Sequence, residues 1–191
     1  GEVPAVDTAA GLARARAAAM MLLALPGSMY VYQGEELGLP EVPVLDPSLL
    51  DDPMFLRSGG VVKGRDGCRV PLPWAPTGSS FGFGADGAHL PQPQWFAAHS
   101  VQAQDGDPHS TLTLYRRALA LRRELQTDEE LTWVETGRPD VLWFTRPNGW
   151  AVVTNFGSEP FELDSADLVL ASADAPLGVV PGETTVWLDA R

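Results

Sequence analysis

The chain has 191 residues, 45% of them hydrophobic, so it is long enough to bury one large or two small cores. Its 13 basic and 25 acidic residues give a formal net charge of −12, which argues against nucleic acid or an anionic membrane as its main partner. The single cysteine, Cys68, excludes a disulfide within the chain and a cysteine-based zinc site. No two of the three histidines have metal-ligand spacing, so we expect no metal and no cofactor.

The first predicted elements are a helix and a short strand. Asp7 or Thr8 can cap a helix over residues 9–25, which Pro26-Gly27 would end. Residues 28–33, rich in Tyr and Val, predict a short buried strand. A buried helix followed directly by a buried strand is typical of an α/β fold. Since a lone strand cannot form a sheet, we expect its neighbours to lie outside this chain.

A long connection follows, from Gly34 to about Ser110, and it carries many of the 17 prolines and 19 glycines. A connection of this length is usually functional. It therefore predicts the rim of an active site whose other parts lie elsewhere. No apolar run is long enough to span a bilayer and no signal peptide is visible, so we expect no membrane partner and a cytoplasmic location.

A second helix is predicted from Thr111 to about Leu125, with Ser110 as its cap. Its apolar residues recur at helical spacing, whereas its four arginines are interpreted as a solvated face. These arginines are Arg116, Arg117, Arg122 and Arg123.

Beyond the second helix the hydrophobic period changes to two, which predicts short strands. The predicted strands cover residues 131–135, 141–146, 150–155, 161–163, 168–171 and 184–188. Pro147-Asn148-Gly149 is a good hairpin turn, because Asn and Gly accept positive φ. The pattern favours a small antiparallel sandwich, and we place the domain boundary between residues 127 and 128.

Two stretches resemble motifs of α-amylase-family glycoside hydrolases, closest to the α-glucosidase and oligo-1,6-glucosidase branch. Residues 26–38, PGSMYVYQGEELG, are similar to the family segment at the eighth barrel strand, G-x-P-x-x-Y-x-G-x-E-x-G, with Met29 in place of the usual Pro. Residues 64–74, GRDGCRVPLPW, are similar to G-R-D-x-x-R-T-P-M-Q-W. Departures from that second motif are Val70, Leu72 and Pro73.

The resemblance implies an α/β plus all-β fold. Residues 1–127 would supply the last strand and helices of a TIM (β/α)8 barrel, and residues 128–191 would form a small antiparallel β-sandwich domain. In such a barrel the active site lies at the carboxyl ends of the strands and is built from the following loops. The connection after residue 33 would then lie on the active face.

That connection carries two candidate substrate-binding residues: Arg69, which the resemblance implies, and Trp95, whose indole ring suits sugar stacking. Arg69 resembles the arginine that contacts a glucose unit; its alternative is a structural arginine that pins the loop. Trp95 is a candidate for stacking on a sugar at an outer subsite. Trp74 is expected to be packing, and Glu36 to accept structural hydrogen bonds. Arg65 and Asp66 are interpreted as a local turn or ion pair.

The implied reaction is the retaining hydrolysis of α-glucosides or malto- and isomalto-oligosaccharides. It requires a nucleophilic carboxylate and a carboxylic acid about 5 Å apart. The motifs that supply them in the family are absent here, so we assign no catalytic residue and expect the chain to be inactive without the N-terminal barrel segment. The alternatives are a related transglucosidase or sucrose isomerase, and a non-catalytic carbohydrate-binding or scaffold protein.

Overall fold

The computed structural model describes residues 8–164 and 167–189, which form two compact units. The described residues up to Tyr30, together with those from Leu114 onward, form one unit, and residues 31–113 form the other. The domain boundary between residues 127 and 128 stays a prediction. None of the described helices is long and apolar enough to cross a membrane.

Helix α1 spans Thr8–Ala24, close to the predicted bounds, and the proposed cap Asp7 lies outside the described residues. Its buried side chains are concentrated in its second half. The turn that ends it includes Gly27, whose φ of 82° is a left-handed conformation that glycine adopts without steric cost.

Residues 28–33 form no strand among the described residues, and a strand whose neighbours lie outside this chain stays a prediction. These residues pair with no other strand in the part of the chain that the structure describes. Tyr30, Val31 and Tyr32 are instead 90%, 44% and 50% exposed. A β-strand is stabilised by hydrogen bonds to its neighbours, and described residues 8–164 and 167–189 provide none here.

The unit formed by residues 31–113 contains only short helical segments and has its own core. Helix α2 spans Pro53–Arg57 and helix α3 spans Val101–Gln104. Single 3-10 turns span Glu35–Leu37, Pro47–Leu49, Asp66–Cys68, Ser79–Gly82 and Gln94–His99. The core side chains are Val42, Leu45, Leu50, Val70, Leu90 and Phe96. The predicted long connection is therefore an ordered body rather than a loose loop.

Helix α4 spans Thr111–Leu125, as predicted. The predicted cap is also confirmed, because Ser110 Oγ accepts a hydrogen bond from the Thr113 N–H at 3.1 Å. Leu114 and Ala118 are buried on one face of the helix, as their spacing predicts.

Among the residues that the structure describes, seven short strands form two antiparallel sheets. They are β1 Thr132–Trp133, β2 Val141–Thr145, β3 Trp150–Asn155, β4 Phe161–Glu162, β5 Asp167–Ala171, β6 Val179–Val180 and β7 Thr184–Asp189. The larger sheet has the order β1-β2-β3-β7-β5, and β4 pairs with β6 in the smaller one. Each of the six predicted strands is present, but β6 was missed because two residues are too few to show a period of two.

The five-stranded sheet is covered on both faces. One face packs on α1 and α4 through Met20, Leu23, Ala24, Leu114, Ala118, Phe144, Trp150, Val152, Leu170 and Trp187. The other face packs on the small sheet through Val141, Ala151, Val153, Val180, Val186 and Leu188. The expected sandwich is therefore present, with a helical layer added to one side.

Candidate functional site

Arg69 is held by two buried carboxylates. Its Nη1 donates to Asp52 Oδ2 at 2.8 Å and to Asp66 Oδ1 at 3.5 Å. The side chains of Asp52 and Asp66 are 1% and 7% exposed, whereas that of Arg69 is 36% exposed. The guanidinium thus has one edge on a fixed anionic support and part of its surface open to solvent.

Asp52 is fixed by the start of helix α2. Its Oδ1 accepts the N–H of Met54 at 2.8 Å, and Pro53 occupies the first helical position, where its missing N–H costs nothing. Its Oδ2 also accepts the N–H of Arg65 at 3.2 Å. The orientation of this carboxylate is therefore set by backbone hydrogen bonds that do not involve Arg69.

Asp66 is held in the same way from the other side. Its Oδ2 accepts the N–H groups of Asp51 at 3.0 Å and Asp52 at 2.9 Å. The two carboxylates are thus bound to the same short segment of backbone, and both present an oxygen to Arg69. We name the set Asp52, Asp66 and Arg69 the arginine clamp.

Two glycines of the 64–74 segment lie where other parts of the chain approach closely. A Cβ on Gly64 would lie 2.5 Å from Asp52 Cβ, and one on Gly67 would lie 2.4 Å from the carbonyl oxygen of Val42. Both distances are too short for real contacts. Gly64 therefore makes room for Asp52 of the clamp, and Gly67 makes room for the segment around Val42.

The hydrogen bonds and charges around Asp52 and Arg69 favour the ionised form of each side chain. The Met54 N–H is the main cause that lowers the pKa of Asp52 below its ordinary value; burial opposes this shift, and the charge of Arg69 adds to it. Burial lowers the pKa of Arg69, but the charge and hydrogen bond of Asp52, together with the Tyr32 hydroxyl, raise it above its ordinary value. At neutral pH Asp52 and Arg69 are therefore an ion pair rather than an acid–base couple.

Trp95 lies in the 3-10 turn Gln94–His99 and is 38% exposed. Its ring meets Phe96 edge-on at 4.7 Å between centroids and His99 at 5.7 Å. Phe96 packs in the same core as Val70, which follows Arg69 in the chain. The two predicted site residues are therefore linked through one hydrophobic core.

The structural expectations for nearby residues are partly confirmed. Glu36 Oε2 accepts the N–H of Gly34 at 2.8 Å, as expected for a structural carboxylate. Asp66 is in a local ion pair, but its partner is Arg69; Arg65 instead lies 3.8 Å from Asp52. Trp74, expected to be packing, is 52% exposed.

Asp52 is the site residue that the sequence analysis missed. The available signal was Asp52-Pro53, since an Asp followed by Pro marks a helix start whose capping carboxylate has a defined direction. That signal predicts a cap, but it does not indicate that the same carboxylate meets Arg69. Across residues 8–164 and 167–189, no group of three His, Cys, Asp or Glu side chains is arranged to hold a metal ion.

Residues 5–130 match the family model of the alpha amylase catalytic domain. A probable alpha-glucosidase of Rhizobium meliloti (strain 1021) is 40% identical over 141 residues, which cover 72% of this chain and 25% of the relative. The oligo-1,6-glucosidase of Parageobacillus thermoglucosidasius is 27% identical over 169 residues, 76% of this chain and 30% of the relative.

Solved structures give a consistent result. The alpha-glucosyl transfer enzyme XgtA is similar with a TM-score of 0.75 and 31% identity, over 94% of this chain and 36% of that chain. The trehalulose synthase MutB from Pseudomonas mesoacidophila MX-45 has a TM-score of 0.76 at 22% identity, over 94% of this chain and 38% of that chain, which shows the fold alone. This chain thus spans between 25% and 38% of the length of these relatives.

Proposed function

This chain belongs to the alpha-amylase family, and from that membership we propose that it supplies one wall of the glucose-binding pocket in a retaining α-glucosidase-like enzyme. It would be the C-terminal part of that enzyme, whose substrates are α-glucosides or malto- and isomalto-oligosaccharides. The observation that carries the proposal is the arginine clamp, which holds a half-exposed guanidinium on two buried carboxylates.

The clamp suits the recognition of a neutral sugar. Its bonds to Asp52 and Asp66 both leave from Nη1, so the remaining N–H groups that the Tyr32 hydroxyl does not occupy can serve as donors to sugar hydroxyls. The carboxylates remove the entropy cost of ordering the long side chain at the moment of binding. A planar guanidinium fixed in this way points its N–H donors in defined directions.

Bond cleavage would depend on groups outside this chain. A retaining glycosidase needs a nucleophile and an acid about 5 Å apart, and the clamp carboxylates are instead committed to Arg69 and to backbone N–H groups. The preceding barrel segment is the partner that would supply them. The exposed side chains of Tyr30, Val31 and Tyr32 support this, because contiguous exposed apolar surface usually marks a contact region.

The test is Arg69→Ala in the full-length enzyme that contains this chain. We expect kcat/KM on maltose and on p-nitrophenyl α-glucoside to fall by about 30- to 150-fold, the equivalent of about 2–3 kcal/mol for hydrogen bonds to a charged group. Arg57→Ala, which alters an exposed arginine at the end of α2, should leave both values unchanged. Unchanged kcat/KM in Arg69→Ala on both substrates would remove Arg69 from the pocket.

A second candidate is transfer of the glucosyl group to another sugar. It is favoured by the 31% identity to an enzyme described as an alpha-glucosyl transfer enzyme. Product analysis on maltose, isomaltose and sucrose distinguishes the two reactions. Free glucose as the main product supports hydrolysis, whereas longer or rearranged saccharides support transfer.

A further inference from the structure

The hairpin turn between β2 and β3 contains an Asn-Gly pair, Asn148-Gly149. Asparagine is a thermolabile residue, and a following glycine, which has no Cβ, leaves its backbone nitrogen open to the asparagine side chain. The other asparagine of the chain, Asn155, precedes Phe156 and lacks such an open neighbour. Of the two asparagines, Asn148 is therefore the one whose side-chain amide is chemically easier to lose.

Hydrogen bonds of the folded turn hold the glycine nitrogen in place. The Gly149 N–H donates to the Arg146 carbonyl oxygen at 3.0 Å, and the Arg146 N–H donates to the Trp150 carbonyl oxygen at 2.8 Å. With a φ of 85° at Gly149, this is a three-residue hairpin loop that ends in a left-handed residue. The Gly149 nitrogen is thus fixed within the turn and is not free to approach the Asn148 side chain.

The Asn148 side chain is half-buried and is held at both of its polar atoms. Its Oδ1 accepts the Trp150 N–H at 3.2 Å, and its Nδ2 donates to the Leu125 carbonyl oxygen at 3.0 Å. Leu125 is the last residue of α4, so this amide satisfies one of the carbonyl groups that a helix leaves without a partner at its C-terminal end. One side chain thus joins the β2–β3 turn to helix α4.

Conversion of this amide to a carboxylate would remove the bond to α4. A carboxylate accepts hydrogen bonds but donates none, so the Leu125 oxygen would lose its donor. A negative charge at the C-terminal end of a helix is also unfavourable, because the helix dipole places partial negative charge there. The reaction that removes the amide would therefore also weaken the link between the turn and the helix.

We propose that Asn148 is a deamidation site which the folded β2–β3 turn protects, and that its deamidation releases the turn from α4. Base removes the Gly149 N–H proton, and the nitrogen attacks Asn148 Cγ. The new N–Cγ bond forms, the Cγ–Nδ2 bond breaks, and Nδ2 leaves as ammonia with a proton from water. Water then opens the succinimide: cleavage of the N–Cγ bond gives aspartate, and cleavage of the original Asn148-Gly149 peptide bond gives isoaspartate. The reaction needs only base and water, so it is independent of the sugar chemistry proposed above.

The first experiment follows amide loss in the full-length enzyme at mildly alkaline pH, with and without urea, by tandem mass spectrometry of its peptides. In urea we expect Asn148 to become aspartate and isoaspartate while Asn155 stays intact. Without urea we expect conversion of Asn148 to be at least about 10-fold slower, because the turn must open locally before the Gly149 nitrogen can reach Cγ. Equal rates with and without urea, equal rates at both asparagines in urea, or no conversion of Asn148 in urea would overturn the proposal.

Thermal unfolding tests the loss of the contact with α4. Asn148→Asp reproduces the aspartate product, and we expect it to lower the Tm of the full-length enzyme by about 1–4 °C. Gln102→Glu is the matched control, because it makes the same amide-to-carboxylate change at an exposed position and should leave the Tm unchanged. An unchanged Tm in Asn148→Asp, or an equal fall in both variants, would contradict the link to α4.

Discussion

The strength of the ion pairs that Arg69 makes depends on the burial of its two carboxylate partners. Its carboxylate partners are 1% and 7% exposed, so removal of the arginine leaves buried negative charge without compensation. The pair of Lys63 and Glu41 differs, because both side chains are largely solvated and such pairs contribute little to stability. The clamp therefore orders the guanidinium in a way that a surface ion pair cannot.

The clamp predicts a specific pH dependence of stability. The pKa of Asp52 is lower in the folded protein than in the unfolded chain, so its ionised form stabilises the fold above the unfolded pKa of about 4, and this stabilisation is lost as the pH falls through the folded pKa. We expect the difference in unfolding free energy between wild type and Asp52→Asn to be constant near neutrality and to shrink below about pH 4. Urea unfolding between pH 3 and 7 measures it. A difference that grows on acidification would contradict the assignment.

The carbonyl groups at the C-terminal end of helix α1 accept hydrogen bonds from arginines that are distant in sequence. Its own last turn carries no basic residue, yet the final carbonyl groups of a helix need donors. Arg146 Nη1 donates to the Ala24 oxygen at 2.9 Å, and Arg122 Nη1 donates to the Leu25 oxygen at 2.9 Å. Burial lowers the pKa of both arginines, which is consistent with their withdrawal from water. The interpretation of Arg122 as part of a solvated face is wrong.

Arg146 should therefore be important for stability. Besides Ala24, it donates to the carbonyl oxygens of Glu130 at 2.8 Å and Asp128 at 2.7 Å. Arg146→Met keeps much of the volume but leaves these oxygens without their donor, so we expect a loss of about 2–3 kcal/mol in unfolding free energy. Chemical denaturation followed by circular dichroism measures the loss. Arg123→Met, at an exposed position on α4, should stay within about 0.5 kcal/mol, and an equal loss in both variants would contradict the capping role.

The described residues combine a well-packed sheet unit with a second unit that carries the arginine clamp. Trp150 and Trp187 meet edge-on at 4.8 Å in the core that joins α1 and α4 to the five-stranded sheet. That core supports the sheet unit, whereas the proposed sugar contacts lie in the 31–113 unit. Both units together span at most 38% of the relatives compared here. On the proposed function, the chain would bind and position a sugar, and cleavage would depend on other segments.

This division of roles predicts that the isolated chain does not turn over p-nitrophenyl α-glucoside. The physical reason is that hydrolysis needs two carboxylates about 5 Å apart on either side of the scissile bond, and we assign neither to this chain. The measurement is nitrophenol release by the purified chain, with the full-length enzyme at equal molarity as the control. Turnover by the pure chain that survives repeated purification would contradict the proposal.

Local pattern alone determined α4, its Ser110 cap, six strands and the Asn148-Gly149 turn. These features depend on contacts between residues close in sequence, which periodicity and capping preferences report directly. The family motif at residues 64–74 added Arg69 as a candidate, and the stacking preference of indole rings added Trp95.

Only the tertiary structure decided which groups meet. Asp52 contacts Arg69 across 17 positions, and Arg122 caps α1 across about a hundred, distances at which sequence pattern carries no information on partners. The strand at residues 28–33 stays a prediction for a related reason: local propensity indicates an extended segment, but a strand forms only when another backbone supplies its hydrogen bonds, and its expected neighbours lie outside this chain. The motifs thus indicated the family and the candidate Arg69. Packing and long-range hydrogen bonds decided that Arg69 is clamped and that the sheet is covered on both faces.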